Sequence, residues 1–225
     1  HFGQLSSCPL FVWFPQPSLQ YLPRGKLLEI YAQIGVRTLS ESVEKKLLSL
    51  HGFHFEQVNP KEIFIGRGLS KLILGFLASP SLGLEAEKRH EALKCLLNIT
   101  VLVTPEPINV GYELLLSSGE FLYVEASRMI RWEREDSKFF LQKFDKSGSR
   151  RKMLEYATHF AEVLSEGIFQ GFWEKEDHIY QLAELIKLGF MMEFDEAAID
   201  FLMKTKNLEI FLEDEEFLSS AFSRH

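Results

Sequence analysis

Two acids, Glu113 and Glu125, fall on successive β-rich runs of the chain. Carboxylates on neighbouring strands can share a magnesium ion and steer an attacking water, the chemistry of a restriction-nuclease-like hydrolase. Such a site also takes a lysine two residues after its strand-borne acid. Here that position is Ser127, and Arg128 beside it projects to the opposite face of a strand. The pattern is incomplete, and a partly solvated sheet face is the better account of both acids.

The other reactive residue types form weaker patterns. His51 and His54 are the one close histidine pair, with no cysteine pair to complete a zinc site. Gly66-Arg67-Gly68 with Ser70 and Lys71 imitates a phosphate-binding loop but lacks its spacing, and a helix starting after a turn explains it better. Cys95 sits on an expected apolar helix face, which suits packing rather than nucleophilic catalysis. No catalytic residue, metal ligand or cofactor site is assigned, and the chain is read as not an enzyme.

Binding residues are a different matter. Lys146, Arg150, Arg151 and Lys152, with Lys143 close by, surround a Ser/Gly loop and can grip phosphates or an acidic peptide. Phe11, Trp13 and Phe14 lie among prolines in a stretch that should be extended, so something must cover them. These seven residues, Phe11, Trp13, Phe14, Lys146, Arg150, Arg151 and Lys152, are the candidate interaction residues.

Composition bounds the partners. The 225 residues are 46% hydrophobic and 25% charged, which is globular. Folding removes roughly 70% of the unfolded surface from water at this size. With 20 Phe, 6 Tyr and 3 Trp the chain is strongly aromatic, yet no apolar run is long enough for a membrane span. The net charge of −7 disfavours nucleic acid, although residues 1–150 carry 18 basic and 16 acidic residues against 7 and 16 in residues 151–225. Two cysteines, Cys8 and Cys95, and no secretory leader pattern predict an intracellular protein, cytoplasmic or nuclear.

The elements that must position these residues follow from periodicity. Leu27, Leu28, Tyr31 and Ile34 mark a short amphipathic helix stopped by Gly35, and Thr38 with Glu41 caps a second helix beginning at Leu39. Leu69, Leu72, Ile73, Phe76 and Leu77 mark a third helix, and Leu93, Leu96 and Leu97 a fourth, with Pro80 and Gly83 between them. Strands are expected at 112–116, 121–124, 129–132 and 139–144, the first two joined by Ser117-Ser118-Gly119, and a four-strand antiparallel meander is the simplest arrangement. Helical periodicity then returns, with Tyr156, Phe160, Leu164 and Ile168, then Ile179, Leu182, Leu185 and Ile186, then Phe201 and Leu202 behind the cap Asp195. The fold class is α+β: helices first, a central antiparallel meander, a helical bundle last. Residues 1–23 form an extended Pro/aromatic segment and 24–225 a single domain, whose one seam is 147–151.

Four strings carry a family resemblance: Ile34-Gly-Val-Arg-Thr-Leu-Ser-Glu-Ser-Val43, Val58-Asn-Pro-Lys-Glu-Ile-Phe-Ile-Gly66, Ala126-Ser-Arg-Met-Ile-Arg-Trp-Glu133 and Asn207-Leu-Glu-Ile-Phe-Leu-Glu-Asp-Glu-Glu-Phe-Leu218. Together, over about Arg24 to Phe222, they resemble the carboxy-terminal region of the large plant sacsin-like, NO VEIN-like proteins. That resemblance implies ancestry in a group with a gyrase and heat-shock-chaperone type ATPase domain. The ATPase uses an Asp-x-Gly-x-Gly turn, and this chain contains no Asp-x-Gly, so no active-site residue carries over. The function expected is a non-catalytic protein-interaction or scaffold module of a chaperone-related protein, binding a protein partner or neighbouring domain, with a homo-oligomer left open. The alternatives are the metal-dependent hydrolase using Glu113 and Glu125, and a regulatory fragment acting on a full-length relative.

Overall fold

The computed structural model of the protein describes residues 23–116, 118–144, 148–170 and 176–223. The expected extended segment, including Phe11, Trp13 and Phe14, lies outside them apart from Pro23. Along the chain the elements are α1 (Arg24–Gln33), α2 (Leu39–Ser42), β1 (Val43–Leu47), β2 (Glu56–Val58), a 3-10 turn (Pro60–Ile63), α3 (Arg67–Leu77), α4 (Ala86–Leu97), β3 (Thr100–Thr104), β4 (Ile108–Leu115), β5 (Phe121–Arg128), β6 (Ile130–Glu133), β7 (Lys138–Gln142), α5 (Arg150–Phe169), α6 (Glu176–Met191), α7 (Glu196–Thr205) and α8 (Leu212–Phe222). The class is α+β, with strands β3 to β7 central and helices α5 to α8 last, while β1 and β2 fall among the helices of the amino-terminal part.

The chain forms two compact units. The smaller joins the residues up to His51 to Asn109–Arg128, and the larger joins Gly52–Ile108 to the residues from Met129 onward. Residues 148–151 of the expected seam lie inside the larger unit.

In the smaller unit the strands form an antiparallel sheet ordered β1-β4-β5. The expected second helix is a single turn. Glu41 accepts from the Thr38 amide (2.9 Å) and hydroxyl (2.6 Å) as a capping box, but the chain becomes β1 at Val43. There Val43 pairs with Leu114 and Leu47 with Val110, so cross-strand partners outweigh the local helical signal. On α1, Leu28 and Ile30 are exposed.

The larger unit holds a sheet ordered β2-β3-β7-β6. The four expected strands are therefore present as β4 to β7, but as two hairpins in two different sheets rather than one meander. The β3–β7 pair is parallel, setting Val101 beside Phe139 and Val103 beside Leu141. Parallel strands need cover on both faces: Val101, Phe139 and Leu141 are buried on one face, and Thr104 and Phe140 on the other. Thr100–Thr104 is a β-branched run missed by the period-2 reading because burial on both faces removes alternation.

Helices α3, α5 and α6 pack around one aromatic centre. Phe190 on α6 lies 5.2 Å from Phe160, 5.3 Å from Phe64, 5.8 Å from Tyr156, 6.2 Å from Phe144 and 6.4 Å from Phe194, ring centre to ring centre. Each buried Phe contributes roughly 1.5–3 kcal/mol through area alone. The turn after α6 has Glu193 and Phe194 at φ 53° and 49°, and it presses against α3. A Cβ at Gly68 would overlap the Phe194 carbonyl, and one at Gly189 would meet its ring. The Asp195 side chain then accepts from the Ala198 amide and starts α7. Leu202 faces the core, while Phe201, expected beside it, is 69% exposed.

α8 is bolted to α4 by charge. Asp214 is fully buried and accepts from Arg89 Nε at 3.1 Å, Arg89 Nη2 at 2.9 Å and bonds His90 Nε2 at 2.7 Å. Arg89 Nη1 donates to the Leu84 carbonyl at 2.6 Å, and the His90 ring stacks on Phe217 at 4.2 Å. Removing one side of a buried pair strands the other charge, at about 3–5 kcal/mol. Asp214→Ala is expected to lower the unfolding free energy by about that amount in urea, whereas Glu216→Ala, two residues on and exposed, stays within ~0.5 kcal/mol. Gly68→Ala is expected to cost about 1–3 kcal/mol in the same titration, because the obstacle is backbone that cannot rotate away.

Candidate functional site

The first turn of α5 is built by its cap. Ser149 has extended backbone (φ −61°, ψ 150°), and its hydroxyl accepts from the Lys152 amide at 3.4 Å. The turn it opens is Arg150-Arg151-Lys152, with no acid in it. All three side chains are exposed, and none joins an ion pair among the described residues. Cations at a helix start oppose the helix dipole, at about 0.3–1 kcal/mol each. Helix stability therefore does not explain them. Downstream, Tyr156, Phe160, Leu164 and Ile168 are buried and fix the helix in place. Lys143 is exposed on the chain leaving β7, while Lys146 lies outside the described residues.

Glu113 and Glu125 do share a face of the smaller unit's sheet, together with Lys46 and Tyr123. Lys46 Nζ holds Glu113 at 2.7 Å, and the Tyr123 hydroxyl donates to Glu125 at 3.3 Å. The hydrogen bond to Glu113 raises the Lys46 pKa above its ordinary value. Desolvation, with the charges of Glu125 and Glu113, raises that of the Tyr123 phenol. The Tyr123 ring lies across Gly111, where a side chain would collide with it. Arg128, on the other face, donates to the Tyr112 hydroxyl at 2.7 Å. Among the described residues no three His, Cys, Asp or Glu side chains are grouped to hold a metal ion.

The phosphate-loop imitation resolves into packing. Gly68 admits the Phe194 carbonyl, Ser70 Oγ donates to the Gly66 carbonyl at 2.9 Å, and Lys71 is held by Asp200 at 2.7 Å and Glu215 at 3.4 Å. Arg67 pairs with Glu215 at 3.2 Å and Glu196 at 3.5 Å. A cleft of about 510 Å³ opens between the 3-10 turn and the ends of α4 and α8, lined by Val58, Ile65, Leu96, Leu97 and Phe222 with Lys61 at its rim. Two of its polar side chains are engaged locally, Asn59 accepting from the Lys61 amide and Ser70 donating to the Gly66 carbonyl.

Sequence reasoning missed one charged group. The run Glu213 to Glu216 reads as acids suited to a helix start, yet Asp214 turns inward to Arg89 and His90 while Glu215 turns to Arg67 and Lys71. The available signal is the spacing of Asp214 and Leu218, four apart on one helix face and both buried.

Among the described residues no helix is long and apolar enough to cross a membrane. Compared with protein-family models, with curated proteins and with solved structures, the chain has no match.

Cys95 is half-buried, and its thiol donates to the Ala92 carbonyl at 2.8 Å. Burial raises its pKa, against a smaller downward pull from Arg134. In a Cys8→Ser chain, Cys95 is therefore expected to react with iodoacetamide at pH 8 at least ~10-fold more slowly than a free thiol, and equally fast once unfolded in urea.

Proposed function

We propose that the protein is a non-catalytic interaction module whose α5 first turn receives an acidic segment of a protein partner. The reading accords with the resemblance of the chain to the carboxy-terminal region of sacsin-like, NO VEIN-like proteins. One observation carries it. Arg150, Arg151 and Lys152 stand exposed and unpaired among the described residues, at the helix end where positive charge is least favourable. Elsewhere in the larger unit Arg67, Lys71 and Arg89 each meet carboxylates at short range. An incoming acidic peptide would relieve the mutual repulsion of the three and add the attraction of the helix start.

The hydrolase reading rests on Glu113 and Glu125 sharing a face with Lys46. Its distinguishing outcome is magnesium-dependent cleavage that Glu125→Gln abolishes.

For the interaction reading, a fluorescent oligoglutamate peptide is titrated into the full chain and into its Arg150→Ala/Arg151→Ala/Lys152→Ala variant. The expected result is at least ~10-fold weaker binding by the variant, and wild-type binding that fades as salt approaches ~0.5 M. The melting temperature is expected to hold or rise slightly, since charges opposing the dipole are gone. Equal affinity in both proteins rules the reading out.

A further inference from the structure

We propose that the outer edge of β5 pairs with the same edge of a second copy of this chain, joining two three-stranded sheets into one six-stranded antiparallel sheet across a two-fold axis. The proposal stands apart from the α5 reading. β5 is the terminal strand of its sheet and runs eight residues, Phe-Leu-Tyr-Val-Glu-Ala-Ser-Arg, without a proline. The opposite edge, β1, is five residues long and carries adjacent lysines, Lys45 and Lys46. Shortness and lysine are how proteins protect a sheet edge from further pairing, and β5 has neither. It displays Phe121 at 62% and Tyr123 at 44% exposure.

The hairpin fixes which backbone groups are free. The Leu116 amide donates to the Glu120 carbonyl at 2.9 Å, so Glu120 addresses β4. Direction alternates along a strand, so Leu122, Val124 and Ala126 also address β4, while Phe121, Tyr123, Glu125 and Ser127 direct amide and carbonyl outward. Two copies can exchange bonds only between these outward residues.

Two registers use almost the whole strand. A two-fold at Glu125 sets Glu125 against itself, and like charges directly opposite are destabilising. A two-fold at Val124 instead sets Tyr123 opposite Glu125 of the second copy and Phe121 opposite Ser127. It repeats both pairs by symmetry and opposes no like charges. The other face then matches Leu122 with Ala126 and Val124 with itself, all apolar. The Tyr123 hydroxyl already bonds a Glu125 carboxylate within the chain, and its ring is held by its seat over Gly111. The side chains that would meet across the axis are thus chemically matched and positioned in advance.

Sedimentation of the full chain at ~50 μM is expected to give twice the 26.1 kDa chain mass. Tyr123→Glu places carboxylates opposite one another twice and is expected to weaken association roughly tenfold or more. Adding Glu125→Lys to that variant restores attraction at both pairs and is expected to restore the dimer. Amide exchange supplies a readout that needs no variant. Phe121, Tyr123, Glu125 and Ser127 should gain protection as concentration rises, while Leu122 and Val124, already bonded to β4, should not. A monomeric wild-type chain, dimerisation unaffected by Tyr123→Glu, no restoration in the double variant, or protection independent of concentration, which would mean that another part of the same chain covers the edge, each overturns the proposal.

Discussion

The larger unit is organised by one close approach. The turn carrying Phe194 can lie on α3 only because Gly68 and Gly189 present no side chain to it. That approach seats Phe190 among Phe64, Phe144, Tyr156 and Phe160, and so brings α3, α5 and α6 to a common centre. Close-packed interiors transmit such local constraints, because rings of this size cannot shift independently. The position of α5, and of the cations on its first turn, descends from that contact.

Charge is used in two opposite ways. Between α4 and α8 it is withdrawn from water and matched: Asp214 takes both a bidentate arginine and a histidine, and Arg89 also donates to Leu84 and Glu213. Such a cluster is worth little as net stabilisation but a great deal as specificity, since a misplaced α8 would leave the ions stranded. At the start of α5 charge is left in water and unmatched, an arrangement that adds nothing to the fold. The contrast singles out Arg150, Arg151 and Lys152 on physical grounds.

Much of the element order was legible in the residues. The apolar faces of α3 and α5, the Pro80 and Gly83 break, the Ser-Ser-Gly hairpin and the Asp195 cap each rest on a signal within a few residues. Two departures and one unforeseen contact share a cause. At β1 the capping box is a real, local signal for helix, while the strand partners that override it lie on β4, more than sixty residues away. β3 carries no period-2 signal because burial on both faces erases alternation. Gly68 belonged to an apparent phosphate motif and proved to be a packing site for a residue more than a hundred positions on. At the candidate site, Arg150 to Lys152 could be named from composition, but their freedom from partners could not.

Sequence by itself determined the α+β class, the order of α3, α4, β4 to β7 and α5 to α7, and the acidic character of the carboxy-terminal third, because periodicity, caps and charge are properties of neighbouring residues. Tertiary structure alone decided that the strands divide between two sheets, that β3 and β7 run parallel, and that Asp214 is the one acid of its run drawn inside to Arg89 and His90. Each of these joins groups far apart in the chain. Whether they meet depends on how the apolar faces pack together, and no local pattern records that.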